Sequence, residues 1–192
     1  TFIIPGYTYF VINQEPLQVL NSNADLSTKL YVLFRLFGLY GFTFIWSQLV
    51  LGPFRFPLTK LFGPGVLRLH TTGGIFAFTF ATLHPILFYL AYYLATSNNP
   101  LFALANYLGQ DLIFFGFLGM TAWVLMATTV ITALLRNNPW FINKWRYIHF
   151  LNYLIFILVF IHSFKIGSDV RLQPLNTLYG LYGATFILSV LY

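Results

Sequence analysis

Four stretches of this chain, residues 30–51, 67–95, 112–135 and 147–164, are apolar over membrane-crossing lengths and carry almost no charge. Roughly 20 helical residues cross a hydrocarbon core about 30 Å thick. Backbone amides in lipid must be paired within their own segment, so each stretch is expected to be a spanning helix. Composition agrees, since 58% of the 192 residues are hydrophobic and only 7% are charged, against about 25% charged in soluble domains. Two further apolar stretches, 1–12 and 175–192, are short or borderline. They read as the end of a first helix and most of a sixth. The expected fold is an all-α integral membrane protein, a six-helix transmembrane bundle with partial first and last helices, forming a single domain over residues 1–192.

Clusters of helix breakers separate the stretches and interrupt none of them: Gly52-Pro53, Gly63-Pro64-Gly65, Ser97-Asn98-Asn99-Pro100 and Asn137-Asn138-Pro139. No internal repeat or low-complexity segment calls for a different architecture. The opening at Thr1, without methionine and without the layout of a signal peptide, reads as a processed or truncated start. The chain contains no cysteine, which removes disulfides, iron–sulfur clusters, thiolate metal sites and thiol catalysis together.

The net charge of +6 would suggest nucleic acid for a soluble chain. Here membrane topology explains it better, and no nucleic-acid partner is expected. Arg55, Lys60 and Arg68 surround one connection, Arg136, Lys144 and Arg146 another, and neither contains an acidic residue. Loops 52–66 and 136–146 are therefore expected on the cytoplasmic side of a cell membrane or bacterial inner membrane. The four acidic residues, Glu15, Asp25, Asp111 and Asp169, all fall on the opposite side, along with Lys29, Lys165 and Arg171.

Against this background stand four histidines, His70 and His84 on the third expected helix and His149 and His162 on the fifth. An ionisable side chain at membrane depth is costly, and its default reading is functional. One span separates the two helices, so they run parallel. His70 then faces His149 near the cytoplasmic side, and His84 faces His162 toward the outside. Steps of 14 and 13 residues correspond to about 21 and 20 Å of helix. Imidazoles on both faces of an iron give a six-coordinate haem suited to electron transfer, and the pattern predicts two haems stacked between the third and fifth helices.

Helical phase brings His84 within roughly 40° of His70, with Gly73, Gly74, Ala77 and Ala81 on the face between them. Such small residues permit close approach of a large partner, and a porphyrin bed is expected there. On the fifth helix, 13 residues leave His162 about 140° from His149, so a π-bulge or a strong helix crossing is expected to reconcile them. Phe156 and Phe160 lie on the His149 face, placed either to sit between the haem planes or, the favoured reading, to serve in packing. Arg68 and Arg146 are placed either to meet the propionates of an inner haem or to act as plain topological anchors. Arg35, deeper in the second span, is placed for an outer haem.

The segments Arg68-Leu69-His70-Thr71-Thr72-Gly73-Gly74, Leu83-His84-Pro85, Trp145-Arg146-Tyr147-Ile148-His149 and His162 together resemble the ferric reductase-like transmembrane domain. That family includes NADPH oxidases, ferric reductases and the membrane subunit of bacterial periplasmic methionine sulfoxide reductase systems, and the resemblance covers about residues 30–192. It implies two b-type haems carrying electrons from a cytosolic flavin to an acceptor outside, His70 with His149 holding the inner haem and His84 with His162 the outer.

No glycine-rich dinucleotide fingerprint occurs in this sequence. FAD and NAD(P)H are therefore expected only through a further domain or a separate flavoprotein donor. The chain is either the membrane part of a longer protein or a stand-alone subunit fed by such a donor or by a quinone. No residue is expected to be catalytic; the chain reads as the haem-bearing membrane component of an oxidoreductase, with oxygen, ferric iron or a partner protein as acceptor. The alternatives are a quinone-linked dihaem cytochrome b subunit of a respiratory complex, a transporter whose histidines bind zinc or copper or relay protons, and a structural subunit without a cofactor.

Overall fold

A computed structural model describes residues 2–192; Thr1, the first residue of the expected partial helix, lies outside them. In chain order the helices are α1 (Ile3–Tyr7), which runs into a π-helical turn at Thr8–Ile12, then α2 (Glu15–Asn21), α3 (Leu26–Leu51), α4 (Arg55–Phe62) and α5 (Gly65–Thr96). A short turn at Pro100–Phe102 leads to α6 (Ala103–Leu134), α7 (Trp145–His149) and α8 (Leu151–Ile166). A last turn at Asp169–Arg171 leads to α9 (Leu175–Leu191). Four helical segments are long and apolar enough to cross a membrane: Leu26–Leu51, Gly65–Thr96, Pro100–Leu134 and Trp145–Ile166. Ile3–Ile12 and Leu175–Leu191 are shorter apolar helices. The protein is a helical integral membrane protein, and the many large apolar side chains left on its exterior, such as Leu69, Ile75, Phe114 and Val124, suit a surface solvated by lipid.

Local chemistry sets the helix limits. The Asp25 carboxylate accepts from the Thr28 N–H at 3.4 Å and from the hydroxyls of Ser27 and Thr28, the arrangement of an N-cap. These hydrogen bonds, Ser27 first, hold the Asp25 carboxyl below its ordinary range. The helix thus begins at Leu26, and the polar run Ser27-Thr28-Lys29 before residue 30 belongs to its first turn. Within α6, Gly109 takes φ 69° and ψ 179°, a backbone that favours glycine. The segment 103–108 is thereby offset from the long apolar stretch that follows.

Of the four long segments, Leu26–Leu51 is the most enclosed, with 39% of its apolar stretch buried against 11–22% for the others. α3 packs along α5, and α6 packs along α8, whereas α5 and α8 make no extended backbone contact with one another. An aromatic core joins α3, α8 and α9: Phe42 lies 5.2 Å from Phe156, and Phe156 stacks on Phe186 at 4.6 Å between ring centres. Two polar ties hold α9 to α3. Tyr182 donates to Thr43 Oγ1 at 3.0 Å, and Trp46 Nε1 donates to Thr185 Oγ1 at 2.7 Å.

Candidate functional site

Helix α5 carries His70 near the end flanked by the basic loops and His84 toward the acidic end; His149 closes α7 and His162 lies in α8. Between α5 and α7, the rings of His70 and His149 are 6.2 Å apart between centres, and between α5 and α8 those of His84 and His162 are 6.3 Å apart. The ring planes are inclined at 69° and 90° respectively. A metal joined to each nitrogen by a bond of about 2.0–2.1 Å, with each ring centre roughly 1.1 Å beyond its nitrogen, would set the centres roughly 6.3 Å apart. The centre-to-centre separation of both pairs matches that span.

Each pair offers two ligands, and among the described residues no group of three or more His, Cys, Asp or Glu assembles into a metal site. A tetrahedral zinc site needs three or four protein ligands. A haem needs only the two axial ones, because its macrocycle fills the other positions on iron.

The two pairs differ in what holds the rings. His84 Nδ1 lies 2.7 Å from the main-chain carbonyl of Phe34 on α3, and His162 Nδ1 lies 2.8 Å from that of Phe115 on α6. A carbonyl oxygen only accepts, so each Nδ1 carries a proton and donates it, which leaves Nε2 with a free lone pair as the ligand atom. At the basic end, Nδ1 of both His70 and His149 is buried without a hydrogen-bond partner.

The 13-residue step on the fifth expected helix coincides with a tightened turn, not with a π-bulge. The helix is interrupted at Phe150, whose N–H is shared between the carbonyls of Arg146 and Tyr147, both at 3.2 Å. The Tyr153 N–H then closes a three-residue turn on the Phe150 carbonyl at 3.1 Å. Such a turn winds about 120° per residue where an α-helix winds about 100°. It advances His162 toward the face of His149.

The strip of small residues on α5 meets α3. Ala77 is fully enclosed by protein, and a Cβ on Gly41 of α3 would stand 3.2 Å from the Ala81 amide nitrogen. A Cβ on Gly73 would collide with the Gln48 side chain, and Gly74 is 4.0 Å from Gln48 Oε1 by the same measure. Gly73, Ala77 and Ala81 of this strip thus lie against α3. Phe156 and Phe160 likewise turn to Phe42 and Tyr179 in the aromatic core.

Arg68 and Arg146 are exposed at the basic end, Arg146 lying over the Trp145 ring at 5.6 Å. Arg35 makes a bidentate pair with Asp169, through Nε at 2.9 Å and Nη2 at 2.7 Å, and Asn13 donates to the same carboxylate at 3.0 Å. Its Nη1 edge is 3.9 Å from the exposed Glu15. Opposite charges on one expected side were a usable sequence signal for this pair, whereas the carbonyl partners of the histidines are invisible to any reading of side-chain types. A cavity of about 330 Å³ opens at the acidic end between α3, α5 and α6, lined in part by Tyr31, Phe88, Tyr92 and Tyr107. Phe88 stands one helical turn beyond His84.

Fold and site together define a polytopic helical membrane protein with two histidine pairs aligned along its long axis. The family model described as ferric reductase like transmembrane component matches residues 37–160, and the chain belongs to that family. The match includes His70, His84 and His149 and stops two residues short of His162. Members typically bind haem, and membership points to transmembrane electron transfer. Comparison with curated proteins and with solved structures returned no match.

Proposed function

We propose that this chain is a transmembrane electron conduit holding two b-type haems, one between His70 and His149 and one between His84 and His162. The observation that carries the reading is the matched spacing of the two pairs, 6.2 and 6.3 Å between ring centres, where α5 has no extended contact with α7 or α8. Each bound haem would supply a one-electron iron couple with no open coordination position. The protein's own part is to present Nε2 from two helices, to orient the rings and to keep water out of the span. The aromatic core around Phe42 and Phe156 helps exclude water between α3, α8 and α9.

The basic end is taken as cytoplasmic by the excess of Lys and Arg in its loops, so electrons enter at His70–His149 and leave at His84–His162. The donor is a flavin, reduced by NAD(P)H, on a further domain or a separate flavoprotein. Exposed Arg68 and Arg146 suit the propionates of the first haem. At the other end, Arg35 would meet a propionate through its Nη1 edge while keeping Asp169. The tyrosine-lined cavity beyond His84 is where an acceptor would come nearest. A transporter for bare zinc or copper is less well supported, because each pair provides only two ligands.

The test is the absorption spectrum of the purified chain with its haem-to-protein ratio. The reading predicts a low-spin b-type spectrum and two haems per chain; a protein that stays colourless after expression with ample haem would overturn it.

A further inference from the structure

The acidic-end histidines sit in two matching notches. On α3, a Cβ built on Gly38 would stand 2.8 Å from His84 Nδ1 and 2.9 Å from its Cε1. On α6, a Cβ built on Gly119 would stand 2.6 Å from His162 Nδ1 and 2.7 Å from its Cε1. Real side chains do not approach so closely, and in both cases the obstacle is a ring that another bond already holds in place. Each notch glycine lies four residues after the carbonyl that its histidine uses, Gly38 after Phe34 and Gly119 after Phe115. The two helices thus carry the same device, Phe34-Arg-Leu-Phe-Gly38 and Phe115-Gly-Phe-Leu-Gly119.

The reason for the spacing is helical geometry. Residues i and i+4 lie one above the other on a helix face, so a missing side chain at i+4 opens the approach to the carbonyl at i. A β-carbon there would keep the imidazole off the helix and break the Nδ1–H bond.

The basic end supplies an internal control. Fourteen residues separate Gly38 from Gly52 along α3, as fourteen separate His84 from His70 along the antiparallel α5. A Cβ on Gly52 would be 3.9 Å from His70 Cε1, ordinary contact, and the His70 Nδ1 has no partner. The close seat and the carbonyl bond therefore occur together at one end and are both missing at the other.

We propose that Gly38 and Gly119 are positioning residues for the outer ligand pair. Their missing side chains let His84 and His162 dock Nδ1–H on the Phe34 and Phe115 carbonyls, which commits Nε2 of both to the space between α5 and α8. The inference rests on the haem reading for its consequence at iron, since a carbonyl bond on the far nitrogen makes an imidazole a more basic ligand. Its geometric content stands without it.

The experiment compares Gly38→Ala and Gly119→Ala with Gly180→Ala, where a Cβ meets nothing within 4 Å. The expected result is that each notch variant, but not Gly180→Ala, loses the outer haem or moves its midpoint potential to more positive values and alters its ferric low-spin EPR signal, with the inner haem unchanged. Two haems with both potentials and both signals unchanged in the two notch variants would overturn the proposal.

A second measurement covers variants that do not insert and a chain that binds no haem. By ¹⁵N NMR of the native chain labelled at ring nitrogens of histidine, Nδ1 of His84 and His162 should be protonated, with protons slow to exchange into deuterated solvent. An unprotonated or rapidly exchanging Nδ1 at either residue overturns the notch, whereas absence of haem with protected Nδ1–H protons overturns the haem reading alone.

Discussion

The two histidine pairs have nearly the same separation and quite different surroundings. At the acidic end both Nδ1 atoms donate to main-chain carbonyls at 2.7 and 2.8 Å. The residue after Phe34, Arg35, is locked to Asp169, which fixes that stretch of α3 to the loop before α9. At the basic end both Nδ1 atoms lack partners, and His149 sits at a helix interruption. One pair is set by rigid neighbours and the other by little beyond its own helices. Equal spacing therefore does not mean equal chemistry, because the second contact of an imidazole fixes its tautomer, orientation and basicity.

The largest effect should come from removing single ligands. Replacing His84 or His162 by alanine should lower the haem-to-protein ratio from two to one and abolish electron transfer across the membrane, with the surviving spectrum the same in both variants. His70→Ala and His149→Ala should give the complementary spectrum. Loss of a shared haem by His70 and His162 variants would break the pairing.

Next comes the tie beside the outer pair. Asp169 is buried and accepts three hydrogen bonds from Arg35 and Asn13, so Asp169→Ala leaves a largely enclosed guanidinium with only the exposed Glu15 carboxylate near it, at a cost of about 3 kcal/mol. Thermal melts in detergent should show the loss, and the outer haem should be released before the inner. Glu15→Gln, at an exposed contact of 3.9 Å, should cost under about 1 kcal/mol.

A redox titration sharpens the contrast further. A net hydrogen bond of about 1 kcal/mol corresponds to roughly 40 mV for a one-electron couple, and the carbonyl bonds favour the ferric state. The outer haem should therefore titrate tens of millivolts below the inner. The electron step outward is then uphill and is drawn by the acceptor. Coincident potentials would show that the differing Nδ1 contacts have no effect at iron.

The smallest effect belongs to the cap of α3, at the acidic end. The Asp25 carboxyl is lowered by its hydrogen bonds to Ser27 and Thr28, so its stabilising contribution is complete above the unfolded value of about 3.9 and is lost as pH falls through the lower folded value. Hydrogen exchange of the first turn of α3 should quicken in that acid range, and Asp25→Ala should be fast at every pH.

Much of this arrangement is legible in side-chain types. Long uncharged runs demand helices, and histidines spaced by 14 and 13 residues on two parallel spans can meet only as the structure brings them together. The remainder lies in the backbone. Asp25 looks like part of a polar loop until its carboxylate is seen to cap α3, and the small residues Ala77 and Ala81 look alike whether a cofactor or α3 covers them. Part of the phase of His162 comes from a tightened turn at Phe150, whose own side chain gives no hint of it. The carbonyls of Phe34 and Phe115 leave only the glycine four residues on as a trace, and that trace gains meaning once α3 is known to lie against α5 and α6 against α8.

The central claim is that each pair straddles one iron. Anomalous scattering at the iron edge from crystals of the haem-loaded chain tests it most directly. The account predicts two peaks, one between His70 and His149 and one between His84 and His162, about 21 Å apart by the rise of α5. A single peak, or iron bound away from either pair, would contradict it.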